Sequence, residues 1–248
     1  MPSLPLISKS FGFGRFGWRV FAGPALLLAL AGCAAPFSDP STVAVDRILA
    51  AEAVRAEQGG DYAGAARHYG TLYQTNRSDP AVIEGLARAL RHGGDPATAR
   101  AILEEAQGRL GPQGRLLVEK GKAELALGKA DLAVPTLEAA VAAAPADWEG
   151  PATLAVALDR LGRFDEAAPR YRAALALNTT DNADLYNNYA LSRALAGQLD
   201  EARSLLRTAV ALPGATPRVR ENLAFLETLQ RRPPSGPVRV MVPAPEIR

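Results

Sequence analysis

The chain has 248 residues, 48% hydrophobic but only 6% aromatic, with a formal net charge of +2. Alanine and leucine therefore supply the apolar surface, which suits closely packed helices and leaves little expectation of strand. Cys33 is the only cysteine, so no internal disulfide and no cysteine-pair zinc site can form.

Lys9, Arg15 and Arg19 form a basic front, and Phe21 to Ala31 is an uncharged apolar run too short to span a bilayer comfortably. Residues 1–32 read as an export signal rather than a transmembrane helix. The run ends in Leu30, Ala31, Gly32 and Cys33, which resembles the lipobox of bacterial lipoproteins. That resemblance implies diacylglycerol on the Cys33 thiol, with cleavage making Cys33 the first mature residue. Ala34 follows where an inner-membrane retention signal usually shows aspartate, which implies the periplasmic face of the outer membrane. Two or three acyl chains give stable anchoring where one binds only marginally. The leader carries three of the 28 basic residues and no acidic one, so 25 basic side chains face 26 acidic ones after its removal. No whole-molecule basic field remains to argue for nucleic acid.

After a linker over residues 33–45, the chain becomes periodic. Gly60, Gly94, Gly128, Gly162 and Gly197 recur every 34, 34, 34 and 35 residues, and Ala65, Ala99, Ala133, Ala167 and Ala202 each follow five places later. With the glycine at the fifteenth place, the units are Asp46 to Asp79, Pro80 to Gln113, Gly114 to Asp147, Trp148 to Asp181 and Ala183 to Thr216. Asn182 is the single insertion and falls between units. The glycine ends a first helix of about thirteen residues by entering the left-handed region, and a second helix follows at once. Small residues hold the eighth place (Ala53, Ala87, Gly121, Ala155, Ala190), the twentieth, and the twenty-seventh (Ala106, Ala140, Ala174, Ala209), where Leu72 departs from the pattern. They let helix axes approach to about 8–10 Å. Tyr69, Leu103, Leu137, Tyr171 and Leu206 at the twenty-fourth place read as core.

This period and phase resemble the tetratricopeptide repeat. The resemblance implies an all-α, right-handed solenoid of about five helical hairpins spanning residues 46–230, working by holding partners. Asp79-Pro80, Asp95-Pro96 and Thr216-Pro217 mark helix starts. Pro135 and Pro169 fall a few residues inside second helices, where each removes a hydrogen bond or bends the helix. Pro217 to Gln230 places Leu223, Leu226 and Leu229 beside charged residues and reads as a solvating end helix. Residues 231–248 form a proline-rich, extended tail in which Val238, Val240 and Val242 alternate with Arg239 and Met241.

Catalytic signals are scarce. His68 and His92 lie in different units and read as surface residues, without a metal-binding pattern. Gly12, Gly14 and Gly17 spell a Gly-x-Gly-x-x-Gly pattern, but within the leader and ahead of no strand-helix unit. Neither an enzyme nor a cofactor is expected. In the tetratricopeptide family the concave face is lined by the second, fifth, ninth, twelfth and thirteenth places of the first helices. Carried over, those places give a basic strip of Arg88, Arg91, His92, Arg115 and Lys122, and a mixed surface of Val156, Asp159, Arg160, Asn187 and Leu191, as candidate partner-binding residues. Glu84 and Arg88 stand where carboxylate-clamping members typically carry lysine and asparagine, a departure from that clamp.

Asn187 to Gln230, and most specifically Leu212 to Arg220 (LPGATPRVR), resembles the closing segment of the repeat lipoprotein of tight-adherence (Flp/Tad) pilus systems. The resemblance implies a pilotin-like role, holding a secretin subunit at the outer membrane. Two other readings stay open: an adaptor for periplasmic peptidases or cell-wall hydrolases, and a scaffold for outer-membrane protein assembly.

Overall fold

A computed structural model describes residues 40–180 and 182–231. The leader 1–32, Cys33 with its expected lipid, and the tail 232–248 lie outside the described residues. Those described are helical, with no strand among them, and fall into hairpins in chain order. The first pairs α1 (Pro40–Gln58) with α2 (Tyr62–Thr75), the second α3 (Pro80–His92) with α4 (Pro96–Leu110), and the third α5 (Gly114–Ala126) with α6 (Ala130–Ala143). The fourth pairs α7 (Glu149–Arg160) with α8 (Phe164–Leu177), the fifth α9 (Ala183–Leu195) with α10 (Leu199–Ala211), and α11 (Pro217–Arg231) follows. Helix α1 begins earlier than expected: residues 40–45, assigned to the linker from the sequence, belong to it.

Each hairpin turns the same way. Gly60, Gly94, Gly128, Gly162 and Gly197 take φ between 72° and 90°, a region other residues enter only under strain. The residue after each glycine donates its backbone N–H to the carbonyl five places earlier: Asp61 to Ala56, Asp95 to Leu90, Lys129 to Glu124, Arg163 to Leu158 and Gln198 to Arg193, at 2.8–2.9 Å. This satisfies carbonyls that the helix end would otherwise orphan and fixes the angle at which the second helix departs. Second helices start on side-chain caps in the first two hairpins, where the Asp61 carboxylate accepts from Gly64 N–H and that of Asp95 from Thr98 N–H. Asp79 likewise caps α3 by accepting from Ala81 N–H, and the inserted Asn182 caps α9 by accepting from Leu185 N–H.

The small-residue places are the contact points. All five alanines at the twentieth place have no exposed surface, and Ala53, Ala87, Ala155 and Ala190 at the eighth are equally closed. At Gly121, also an eighth place, a Cβ would stand 2.5 Å from Leu137, so α5 and α6 approach more closely there than alanine permits. Tyr69, Leu103, Leu137, Tyr171 and Leu206 are buried, as is Leu72 despite its size. Pro135 and Pro169 do not end their helices; both are exposed, so the backbone groups they disrupt lie on the solvent side.

First helices also touch the first helices of neighbouring hairpins: α3 meets α5, α5 meets α7, α7 meets α9 and α9 meets α11. Among the described residues no comparable contact joins α4 to α6, α6 to α8 or α8 to α10. A stack whose first helices converge while its second helices fan apart carries the first helices on its inner face. Helix α11 packs as the first helix of a further repeat, burying Val219 and Leu226 while Arg220 and Ala224 stay exposed. It ends the array with Phe225 exposed among Arg220, Glu221 and Thr228.

Ala133→Leu inserts a branched side chain where no surface is free and should lower stability by about 1–3 kcal/mol in urea unfolding. An unchanged midpoint would place α6 in another register.

Candidate functional site

Inner-face residues fall into two electrostatic regions. In the second and third hairpins every cation of the expected basic strip except His92 meets an acid. Arg88 makes a two-pronged bond to Glu57, 3.0 Å on each arm, and reaches Glu84 at 3.4 Å. Arg115 bonds the same Glu84 carboxylate at 2.9 Å. Arg91 lies buried against Glu119 at 3.1 Å, and Lys122 is buried between Glu119 and Glu149, 2.9 Å from each. Four cations and four carboxylates thus form a charge-balanced ladder across the first three repeats and into the fourth. The strip is corrected accordingly: it is not a net basic surface.

Burial sets the titration of this ladder. It pushes the Glu119 carboxyl up, but Lys122 and Arg91 beside it outweigh that and hold it below the usual glutamate range. Burial likewise pulls Lys122 down, and Glu119 with Glu149 more than restores it. Removing one partner from such a buried pair leaves an uncompensated charge, so charge reversal at Arg91 would disrupt the fold rather than report on the groove. His92 is half-buried rather than a plain surface residue. It stacks on Tyr62 with ring centroids 4.9 Å apart, and burial lowers its pKa, with Arg91 adding to the effect. His68 is half-buried too.

In the fourth and fifth hairpins, most of the carried-over places turn into the stack. Val156 and Leu191 are buried, Asn187 is buried and accepts a 2.8 Å hydrogen bond from the Asn222 amide of α11, and Arg160 is exposed. Asp159 is buried and accepts from the Tyr171 hydroxyl at 2.8 Å and the Ser192 hydroxyl at 2.6 Å, clasping α7, α8 and α9 together. Tyr171 in turn stacks on Tyr189, whose hydroxyl donates to Glu201. The same device recurs in the first hairpin, where the Tyr69 hydroxyl bonds Glu57. Both pairs join the twenty-fourth place to the twelfth. Where the twenty-fourth place is leucine, the twelfth is Arg91, Leu125 or Ala194 instead of an acid.

A cleft opens on this face, about 130 Å³ in volume, where α5, α7 and α9 meet. Its floor is Ala152, Val156, Leu185 and Tyr171; Trp148, Asn182, Asp184 and Asn188 stand at its edge, with the Lys122–Glu149 pair closing one end. Small-molecule sites usually enclose about 300–1,000 Å³. A space this size suits one apolar side chain, with amide and charged groups nearby for the backbone that carries it. Of the carried-over residues, Lys122 and Val156 line it; the sequence reading missed Trp148, Leu185 and Asn188, which lie at the first, third and sixth places. Among the described residues no group of three or more His, Cys, Asp or Glu could hold a metal ion, and no helix is long and apolar enough to cross a membrane.

Burial raises the Asp159 carboxyl to about 6, against 3.8 for a free aspartate, although its hydroxyl donors favour the charged form. A folded-state pKa above the unfolded one means the fold prefers protonated Asp159. Its stabilising contribution is complete below about pH 4 and is lost as pH rises through about 6. The stability of the wild type relative to Asp159→Asn should therefore fall by about 1–3 kcal/mol between about pH 4 and pH 7 in urea titrations. A difference that stays constant with pH would contradict the burial of this carboxylate.

Tetratricopeptide repeat family models match residues 56–112 and 152–217. Among solved structures, a thermophilic tetratricopeptide-repeat protein of Thermus thermophilus superposes with a TM-score of 0.67 at 20% identity, covering 74% of this chain and 100% of that one. MamA from Desulfovibrio magneticus RS-1, residues 41 to its end, gives 0.55 at 20% identity over 67% of this chain and 94% of that one. The Cut9–Hcn1 assembly of the anaphase-promoting complex gives 0.67 at 16% identity, covering 76% of this chain and 37% of that one. At such identities the likeness concerns the fold. A comparison with curated proteins gives no match. Repeat spacing, hairpin geometry and both family matches agree: residues 56–112 and 152–217 are tetratricopeptide repeats, and the described helices take the tetratricopeptide-repeat fold.

Proposed function

We propose that this protein is an outer-membrane lipoprotein scaffold that holds a protein partner in tight-adherence pilus biogenesis, acting as a pilotin for the secretin. The observation that carries the scaffold reading is the cleft between α5, α7 and α9, whose apolar floor and amide-bearing edge fit an extended segment presenting one apolar side chain. Support for the membrane and the pilus comes from the sequence, through the lipobox at Cys33 and the resemblance over Leu212 to Arg220. Within that run Gly214 takes φ 84°, Pro217 opens α11, and Val219 is buried. A lipid tether confines the cleft near the bilayer and raises the effective concentration of a partner inserted in the same membrane.

Deletion of the gene and Cys33→Ser should each mislocalise the secretin and abolish pili, while Asn188→Arg, which places a long cation at the cleft edge, should lower secretin capture about tenfold without changing helicity. Normal piliation in the first two variants contradicts the pilotin role. Recovery of a peptidase or cell-wall hydrolase without secretin from solubilised outer membrane favours the adaptor reading.

A further inference from the structure

The first helix of the array exposes places that later first helices bury. At the third place of the first helix, Val82, Leu116, Leu185 and Val219 are at most 8% exposed because the preceding hairpin covers them, whereas Ile48 at that place in α1 is 62% exposed. At the tenth place Ala89, Ala123, Ala157, Ser192 and Leu226 are buried, whereas Arg55 is exposed. Helix α1 thus presents the face that every later first helix buries against its predecessor. Val45, three residues before Ile48 and so on the same side of α1, is also exposed, as are Val43 and Val54 on another side of that helix; on α11 Phe225 is exposed.

In the sequence Cys33 stands seven residues ahead of Pro40. Seven extended residues reach at most about 24 Å, too short a length to supply another hairpin of 34 residues. Along α1, Ile48 lies about 12 Å beyond Pro40. The aliphatic residues Val43, Val45 and Ile48 are those nearest the anchor, and the exposed Glu52–Arg55 ion pair comes one to two turns later. Arg47, about 100° around the helix from Ile48, is exposed and carries a side chain long enough to reach lipid phosphate.

We propose that the exposed Val45–Ile48 side of α1, next to the anchor in the sequence, rests in the headgroup–acyl boundary of the membrane that holds the acyl chains of Cys33, so that lipid covers the open end of the array. This rests on the lipid anchor proposed above. It makes α1 an interfacial helix and sets the inner face at a fixed attitude to the bilayer.

The test uses full-length protein purified from membranes, with acylation of Cys33 established by mass spectrometry, in vesicles of phosphatidylethanolamine and phosphatidylglycerol. A fluorophore on Ile48→Cys should be quenched by brominated acyl chains at least about threefold more strongly than the same fluorophore on Ala224→Cys. Equal, weak quenching at both positions on acylated protein overturns the proposal and leaves the anchor intact. Absence of acyl chains on Cys33 overturns the anchor and the proposal together. A residue-48 label shielded from lipid, with cross-linking between residues 48 of two molecules, overturns it in favour of a second copy as the cover.

Discussion

Close approach of helices at alanine is the constraint on which the structure depends. A side chain of one carbon at the eighth and twentieth places lets the two helices of each hairpin cross with nothing between them, and Gly121 shows the limit at which even that carbon is excluded. Because the same places recur with period 34, each hairpin stacks on the next through like positions, and first helices accumulate on one side. The inner face, its ladder of charges and its cleft all follow from that repetition. Larger residues at the twenty-fourth place fill the volume left between the crossings, and the two tyrosines among them bring a hydroxyl that must be satisfied.

That need shapes the site. Tyr171 finds its acceptor in Asp159, and Asp159 takes a second donor from Ser192 in the next repeat, so a buried polar cluster locks the fourth hairpin to the fifth. The ladder from Glu57 to Glu149 does the same work for the first three hairpins with formal charges. Inner-face charge is therefore mostly engaged in holding repeats together. What is left for a partner is the apolar cleft where the ladder ends and the tyrosine cluster begins.

The fold was legible in the sequence because its determinants are local and periodic: a glycine needing positive φ, small residues at crossings, and aspartate–proline pairs at helix starts. The early start of α1 also has such a signal, since Asp39-Pro40 repeats the pattern of Asp79-Pro80, but it falls outside the 34-residue phase and so reads as linker. The site was less legible. Choosing groove places one helix at a time picks out the cations, whereas their partners come from neighbouring repeats: Glu57 for Arg88, Glu119 for Arg91, Glu149 for Lys122. The pairing of tyrosine with an acid twelve residues earlier, at Tyr69 with Glu57 and Tyr171 with Asp159, is visible within the chain. It marks Asp159 as a clasp between helices.

The central claim is that the inner face at α5, α7 and α9 receives a protein segment. Photo-cross-linking in intact cells, with a reactive residue placed at Asn188 and separately at Arg170 on the exposed side of α8, tests it most directly. The account predicts one defined protein adduct from position 188 and none from position 170. A defined adduct from position 170 alone would contradict it and move the interface to the second helices.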